Sequence, residues 1–329
     1  MPDFVSKPVL ITGGAGFIGS HLTDRLLAQG IPVVVVDDLS TGSLRNLGGA
    51  SRNPSFRWVH SAVRDWKDLS SVVSGCRAVV HLAAAVGVEL VMKSPIRTIE
   101  TNLGETEVVL AAAAKAKVPV VLASTSEVYG RSQKQEFSES DDLLIGPPTL
   151  GRWSYACSKL MDEFLALAYM RERGVPVTIV RFFNTVGPRQ SGAYGMVIPR
   201  FLEAALAGRP LKVYGDGNQT RCFCHVQDTV EALVRILGTP SLAGQVLNIG
   251  NDVPVTIGEL ARRVVAKVGS SSPIETIPYS QAFGPGFEDM FHRRPSLRNL
   301  EAAVGFRPRR SLDQILDDLL ATLRGGAEP

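Results

Sequence analysis

The sequence predicts an α/β fold: a doubly wound parallel sheet with a smaller lobe toward the C-terminus. Three observations predict it. Short β-branched runs alternate with helical patterns through the first half, a glycine cluster stands where the first run meets the first helix, and proline and glycine break the rhythm beyond Asn184. Strand–helix–strand alternation implies right-handed crossovers, with helices covering both faces of a parallel sheet.

The elements follow in order. Residues 9–12 are a buried-strand run, and 18–28 have helical spacing that closes on Gly30. Strands are predicted at 33–37, 78–83, 118–123 and 177–180, with an alanine-rich helix at 101–116 and a helix at 155–173 closed by Gly174. Beyond Asn184, Gly187-Pro188, Gly208–Pro210 and Gly215–Gly217 punctuate the chain. A helix at 228–237 and a strand at 246–249 are expected to return to the main sheet. Helical patterns at 257–268 and 312–323, joined by a Gly- and Pro-rich loop at 278–295, complete the lobe. The expected division is 1–184 with 223–250 as the sheet domain, and 185–222 with 251–329 as the lobe.

Composition narrows the function classes. Of 329 residues, 45% are hydrophobic and 20% charged, ordinary for a chain with a buried core. A formal net charge of +3 and the lack of a basic run argue against nucleic acid as partner. No apolar run approaches the ~18 residues of a membrane span, and the start Met-Pro-Asp-Phe lacks a signal-peptide pattern. The expectation is a cytoplasmic protein with no membrane partner. Four scattered cysteines suggest neither a disulfide framework nor a metal site; Cys222 and Cys224 are expected on one strand, facing the same side.

The glycine cluster is Gly13-Gly14-Ala15-Gly16-Phe17-Ile18-Gly19. A tight turn there needs glycine, and close approach to a pyrophosphate needs a missing side chain. The helix N-terminus then favours the anion. Asp37 ends the next strand, near the ~20-residue spacing at which a carboxylate meets the adenosine ribose. Together these identify a Rossmann dinucleotide site holding Gly13, Gly16, Phe17, Ile18, Gly19 and Asp37. A carboxylate there repels a 2′-phosphate and selects NAD over NADP. Asp38 adds a second negative charge.

Tyr155 and Lys159 stand four apart and share one helix face. A nearby ammonium favours phenolate, so Tyr155 is expected to take the proton of a hydroxyl while hydride leaves for NAD. The pair follows a strand ending in Ser124-Thr125-Ser126.

Gly13–Gly19, His81-Leu82-Ala83-Ala84, Ser124–Gly130 (STSEVYG), Tyr155/Lys159, Arg181-Phe182-Phe183-Asn184 and Tyr214–Asp228 (YGDGNQTRCFCHVQD) occur in order over nearly the whole chain. Together they resemble the extended short-chain dehydrogenases that modify nucleotide sugars. Ser124–Gly130, Arg152-Trp153-Ser154-Tyr155 and Gly284–Arg298 (GPGFEDMFHRRPSLR) make the UDP-glucuronic acid decarboxylases the most similar branch. One stretch departs: Val88-Glu89-Leu90-Val91-Met92 has no aromatic where those decarboxylases carry a tyrosine.

The resemblance implies oxidation of sugar C4 by NAD, with Asp65, Leu82 and Ala83 also at the cofactor and Thr125 sharing the hydroxyl's hydrogen bonds. Ser126 and Arg152 are implied to meet a C6 carboxylate, with Glu127 orienting water or relaying a proton and Arg293 supporting protonation. Asn184, Tyr214 and Arg221 are implied to grip diphosphate and base, with Arg189 and Arg200 as further candidates. Ser126 supplies no strong acid for a 4,6-dehydratase, and Glu127 argues against simple 4-epimerisation. A non-catalytic NAD-sensing protein would be expected to lose Tyr155 or Lys159. His81 and His225 are read as structural. The resemblance also implies a two-fold homodimer through the helices at 101–116 and 155–173, with Val108, Val109, Ala112, Leu160, Phe164 and Leu167 as the apolar surface.

Overall fold

The computed structural model describes residues 6–87, 91, 93–190, 192, 196–283 and 288–325. The first strands are β1 (Val9–Thr12), β2 (Val33–Asp37), β3 (Phe56–His60), β4 (Ala78–His81), β5 (Val120–Thr125) and β6 (Val177–Phe182). The short strands β7 (Thr185–Val186), β8 (Leu211–Tyr214), β9 (Thr220–Cys222) and β10 (Cys224–His225) follow, then β11 (Val246–Ile249), β12 (Pro254–Thr256) and β13 (Ile274–Ile277).

Seven strands form one parallel sheet in the order β11-β6-β5-β4-β1-β2-β3. The order reverses at β1: β2 lies on one side and β4 on the other, with Thr12 in register with both Val36 and His81. Connections diverge there to opposite faces, which leaves a crevice at the carboxyl ends of the strands. Strands β1 and β2 are buried at every residue, as both-sided cover requires. On one face Leu22, Leu26, Val230 and Leu233 pack on Ile11 and Val35. On the other, Leu110, Ala113 and Ala166 pack on Leu10, Val34 and Val79.

The excursion beyond Asn184 returns as expected. The helix Val226–Leu237 packs beside Phe17–Ala28, and β11 adds to β6. Elsewhere the boundaries move. The helix Pro95–Ala116 begins before Thr101, because proline in a first turn presets φ and lacks an N–H that would go unpaired. The helix Trp153–Arg173 ends at Gly174, whose φ of 67° is the left-handed conformation that stops a helix. Strand β3 was not expected; it lies at the sheet edge, half-exposed, so its residues show no apolar run.

In the lobe, β8 pairs with β13 and β9 with β12. The helices Val197–Leu206, Ile257–Val268 and Leu312–Gly325 enclose Phe201, Leu211, Leu260 and Leu316. Thr256 caps the second of these, its Oγ1 accepting from Glu259 N at 3.1 Å. The expected loop at 278–295 contains a short helix, Tyr279–Phe283. Residues 284–287 of that loop, and 88–90 and 92 of the loop after β4, lie outside the described residues. Cys222 and Cys224 do not share a strand: β9 ends on one and β10 begins on the other. Both are buried, and burial pushes both thiols up to about 12, which makes them unreactive. Among the described residues no helix is long and apolar enough to cross a membrane.

Candidate active site and cofactor cleft

The crevice at the β1 reversal opens into a cleft of about 1230 Å³ that runs into the lobe. Its floor explains the glycines. Gly13 has φ 69°, and a Cβ there would stand 2.8 Å from Ala83 N; a Cβ on Gly19 would stand 2.4 Å from Gly13 O. The helix Phe17–Ala28 starts at Gly16 with no side-chain cap and no acidic residue in its first turn. Its first N–H groups therefore suit an anionic ligand. Gly13, Gly16, Phe17, Ile18, Gly19, Leu82 and Ala83 all line the cleft.

Asp37 and Asp38 line the same end. Asp37 Oδ2 accepts from Ala15 N at 2.9 Å and Oδ1 from Leu39 N at 2.8 Å. Burial raises this carboxyl, and the two N–H groups oppose the shift. Asp65 is not among the lining residues; Ala62, Val63 and Arg64 are, together with Glu105. Sequence reasoning missed these four: the first three depend on β3 and the turn after it, and Glu105 on how the helix Pro95–Ala116 packs against that turn. Burial, with the charge of Asp38 adding to it, pushes Glu105 up to about 7.

Tyr155 and Lys159 project from the helix Trp153–Arg173 and both line the cleft. The Lys159 ammonium donates to Asp162 Oδ2 at 2.6 Å, with both side chains buried. Burial raises the Tyr155 phenol, Glu127 adds to the rise, and the Thr125 hydrogen bond and Arg293 charge oppose it.

Past Thr125 the chain turns into a short 3-10 segment, Ser126–Tyr129, capped by Thr125 Oγ1 accepting from Glu127 N at 3.2 Å. The turn sets Glu127 in the cleft lining near Tyr155, while Ser126 is fully buried and not among the lining residues. Arg152 Nη1 donates to Glu127 Oε2 at 2.5 Å. Arg293 donates to Glu127 Oε1 at 2.7 Å and to Ser126 Oγ at 2.5 Å. Burial alone would raise the Glu127 carboxyl; the two guanidinium charges outweigh it and hold Glu127 at about 2. Arg293 Nε is buried with no hydrogen-bond partner among the described residues. Such a donor costs stability unless a ligand meets it.

Toward the lobe, Arg221 donates to Asp289 Oδ2 at 2.7 Å, and Tyr279 donates to the same oxygen at 3.0 Å. Arg200 lies 4.5 Å from the Tyr214 ring, and Phe283 meets that ring edge-on at 5.1 Å. Asn184, with φ 33°, donates to Cys222 O at 3.0 Å. Asn184, Arg200, Tyr214, Arg221 and Arg152 all line the cleft; Arg189 does not. It pairs with Asp24 at 2.8 Å on the outer surface, which corrects its placement among substrate contacts. Tyr279, Phe283 and Asp289 were missed because they sit in the stretch read as loop. Their signal was two aromatics and an acid in the stretch leading up to Arg293. His225 caps a helix, accepting from Gln227 N at 3.0 Å, and His81 bridges Thr12 and Thr106 beneath the cleft.

The chain is similar to known proteins over its length. Residues 9–250 match the profile of the NAD dependent epimerase/dehydratase family. A UDP-N-acetyl-alpha-D-glucosaminuronate decarboxylase of Bacillus cytotoxicus is 41% identical over 97% of this chain and 98% of its own length. UDP-glucuronic acid decarboxylase 1 of Danio rerio is 35% identical over 94% of this chain and 71% of its own. Among solved structures, UDP-glucuronic acid 4-epimerase from Bacillus cereus, in complex with UDP-glucuronic acid and NAD, superposes with TM-score 0.87 at 27% identity, covering 97% of this chain and 99% of that one.

Proposed function

Since the chain belongs to the NAD dependent epimerase/dehydratase family, we propose that it oxidises C4 of a UDP-linked hexuronate with NAD and then releases C6 as CO2. The specific reading is conversion of UDP-glucuronate to UDP-xylose or its 4-keto form. The observation that carries it is the charge around Ser126. Among the described residues Arg152, Arg293 and Arg221 converge on Glu127 and Asp289, and the buried Arg293 Nε has no hydrogen-bond partner, an arrangement suited to one added carboxylate. Guanidinium groups hold carboxylates in a planar, two-point grip. The decarboxylase relatives agree with this reading.

The glycine floor and Asp37 fit a dinucleotide. Asp37 would hold the adenosine ribose, Gly13 and Gly16 would admit the pyrophosphate, and Lys159 would meet the nicotinamide ribose. NAD, when bound, supplies the hydride acceptor.

Tyr155 takes the proton of the C4 hydroxyl as the C4 hydrogen leaves as hydride, while Thr125 orients the phenol. The resulting ketone stands β to the C6 carboxylate. The C5–C6 bond then breaks, CO2 departs, and the electron pair moves onto the C4 oxygen as an enolate, next to the proton held by Tyr155. C5 must take up a proton in turn. Glu127, ionised by its arginines, orients Arg293 and water for that step rather than acting as the resting acid. Residues 1–184 with 223–250 would carry the cofactor, and 185–222 with 251–329 the nucleotide.

The test is incubation of the purified protein and NAD with UDP-glucuronate, its 2-acetamido counterpart and UDP-glucose, following CO2 release and product mass. Loss of one CO2 from a hexuronate, with UDP-glucose unchanged, is expected. Conversion of a hexuronate at unchanged mass would establish 4-epimerisation instead, the activity of several solved structures of similar fold.

A further inference from the structure

Asp162 has no part in the chemistry above, yet it sits one turn from the oxidation pair on the same helix. Its carboxylate is fully buried and accepts from Lys159 Nζ at 2.6 Å. Its other oxygen has no hydrogen-bond partner among the described residues.

The surroundings do little to dilute its charge. Ala83 N–H donates to Thr12 Oγ1 at 3.1 Å, and the Thr12 hydroxyl shares a hydrogen bond with His81 Nδ1 at 2.7 Å. Burial and the Lys159 charge hold His81 down at about 3, so the ring is neutral, and its Nε2 shares a hydrogen bond with Thr106 Oγ1 at 3.2 Å. Burial raises the Asp162 carboxyl, and Lys159 and the facing Thr106 hydroxyl oppose the rise. The next acid, Glu163, is committed to Arg181 at 2.7 Å and Ser124 at 2.5 Å. Lys159 is thus the one cation in direct contact with Asp162 among the described residues.

We propose that Asp162 is a positioning residue of the oxidation site: it holds the Lys159 ammonium and sets, through that ion pair, the pH at which Tyr155 becomes a base. An ammonium beside a phenol favours phenolate; an anion on that ammonium takes part of the effect away. Burial raises the Tyr155 phenol, Glu127 and Asp162 add to the rise, and Thr125 and Arg293 oppose it. Removing the Asp162 charge therefore shifts the balance toward phenolate. The proposal rests on the reading of Tyr155 as the base.

The experiment is calorimetric titration of NAD into the whole protein at several pH values, in buffers of different ionisation heat, which counts protons released on binding. The nicotinamide cation favours phenolate, so the wild type releases a proton that Tyr155→Phe does not. Asp162→Asn is expected to move the midpoint of that release by about one pH unit toward acid. The acid limb of the kcat profile should move with it, and Asp162→Glu should restore both. Asp162→Ser serves the same purpose if the Asn variant does not fold. A midpoint unchanged in the Asn or Ser variant, while Tyr155→Phe abolishes the release, overturns the role of Asp162 alone. Release that persists in Tyr155→Phe overturns the base assignment, and this proposal with it.

Discussion

Arg293 donates to Glu127 at 2.7 Å although 166 residues separate them in sequence. The contact ties the loop before the helix Arg298–Val304 to the end of β5, closing the lobe side of the cleft over Tyr155. Arg293→Ala should slow CO2 release by a factor equivalent to about 2–5 kcal/mol, the cost of removing a charged partner from a buried pair. NAD affinity should stay within experimental error, because Arg293 is remote from the glycine floor. Single-turnover CO2 release and a cofactor titration measure the two separately; an undiminished rate would remove Arg293 from the mechanism.

Cofactor choice follows from Asp37. Its two oxygens already accept from Ala15 and Leu39, which fixes the carboxylate at the ribose end, and Asp38 and Glu105 line the cleft beside it. A 2′-phosphate would meet the carboxylates of Asp37 and Asp38, against the positive charge of Arg64 in the same lining. NAD is expected to bind tighter than NADP by roughly tenfold or more, about 1.4 kcal/mol, and Asp37→Ala should narrow the gap. Tighter NADP binding to the wild type would contradict this.

Much of this arrangement was legible in the sequence, for physical reasons that differ by residue. Gly13, Gly16 and Asp37 could be placed because a strand, a turn and a helix fix them within one local unit. Tyr155 and Lys159 could be placed by helical spacing, but not the partner of Lys159, since charges at i+3 compete with any across the cleft. Asp289, Tyr279 and Phe283 were illegible, because their place depends on how an irregular segment packs against β8 and β9. Arg189 was misplaced for the converse reason. It stands in a motif near the site, but its left-handed φ of 69° accompanies a side chain turned to Asp24.

His81 makes a pH prediction whose sign can be worked out. Its folded value is depressed from 6.5 to about 3 by burial. Below pH 6.5 the unfolded chain takes a proton that the folded chain refuses, so this residue's stabilisation is full above pH 6.5 and is lost as pH falls toward 3. The slope is at most about 1.4 kcal/mol per pH unit. Glu105, raised to about 7, acts oppositely, since its folded form keeps a proton that the unfolded chain gives up above 4.5. The net slope in the wild type is therefore flattened, and the informative quantity is a difference. Urea unfolding of wild type and His81→Asn should show the wild-type advantage shrinking steadily between pH 6.5 and 4.5. A constant difference across that range would place the His81 proton elsewhere.

Assembly is the last prediction. Of the apolar residues expected at a two-fold contact, Val109 and Ala112 are in the core against the sheet, and Val108 and Leu167 pack against the same cluster. Leu160 packs against another core cluster, and Phe164 alone of the expected set is exposed; it shares the outer surface with Met161 on Trp153–Arg173 and with Ile96 and Ile99 on Pro95–Ala116. Ile96, Ile99, Met161 and Phe164 are 72%, 37%, 49% and 59% exposed. Within each helix the pair stands three residues apart, on one face, and the two helices pack side by side. Exposed apolar pairs on two neighbouring helices are of the kind that a second copy covers by symmetry. The wild type is expected to be a dimer built as a four-helix contact. Met161→Glu with Phe164→Glu should yield a monomer whose melting temperature, measured at low concentration, stays near that of the dissociated wild type, because neither side chain belongs to the core. Sedimentation at micromolar concentration decides it: a monomeric wild type would remove the partner assigned to these pairs, and a dimeric double variant would move the contact to another face.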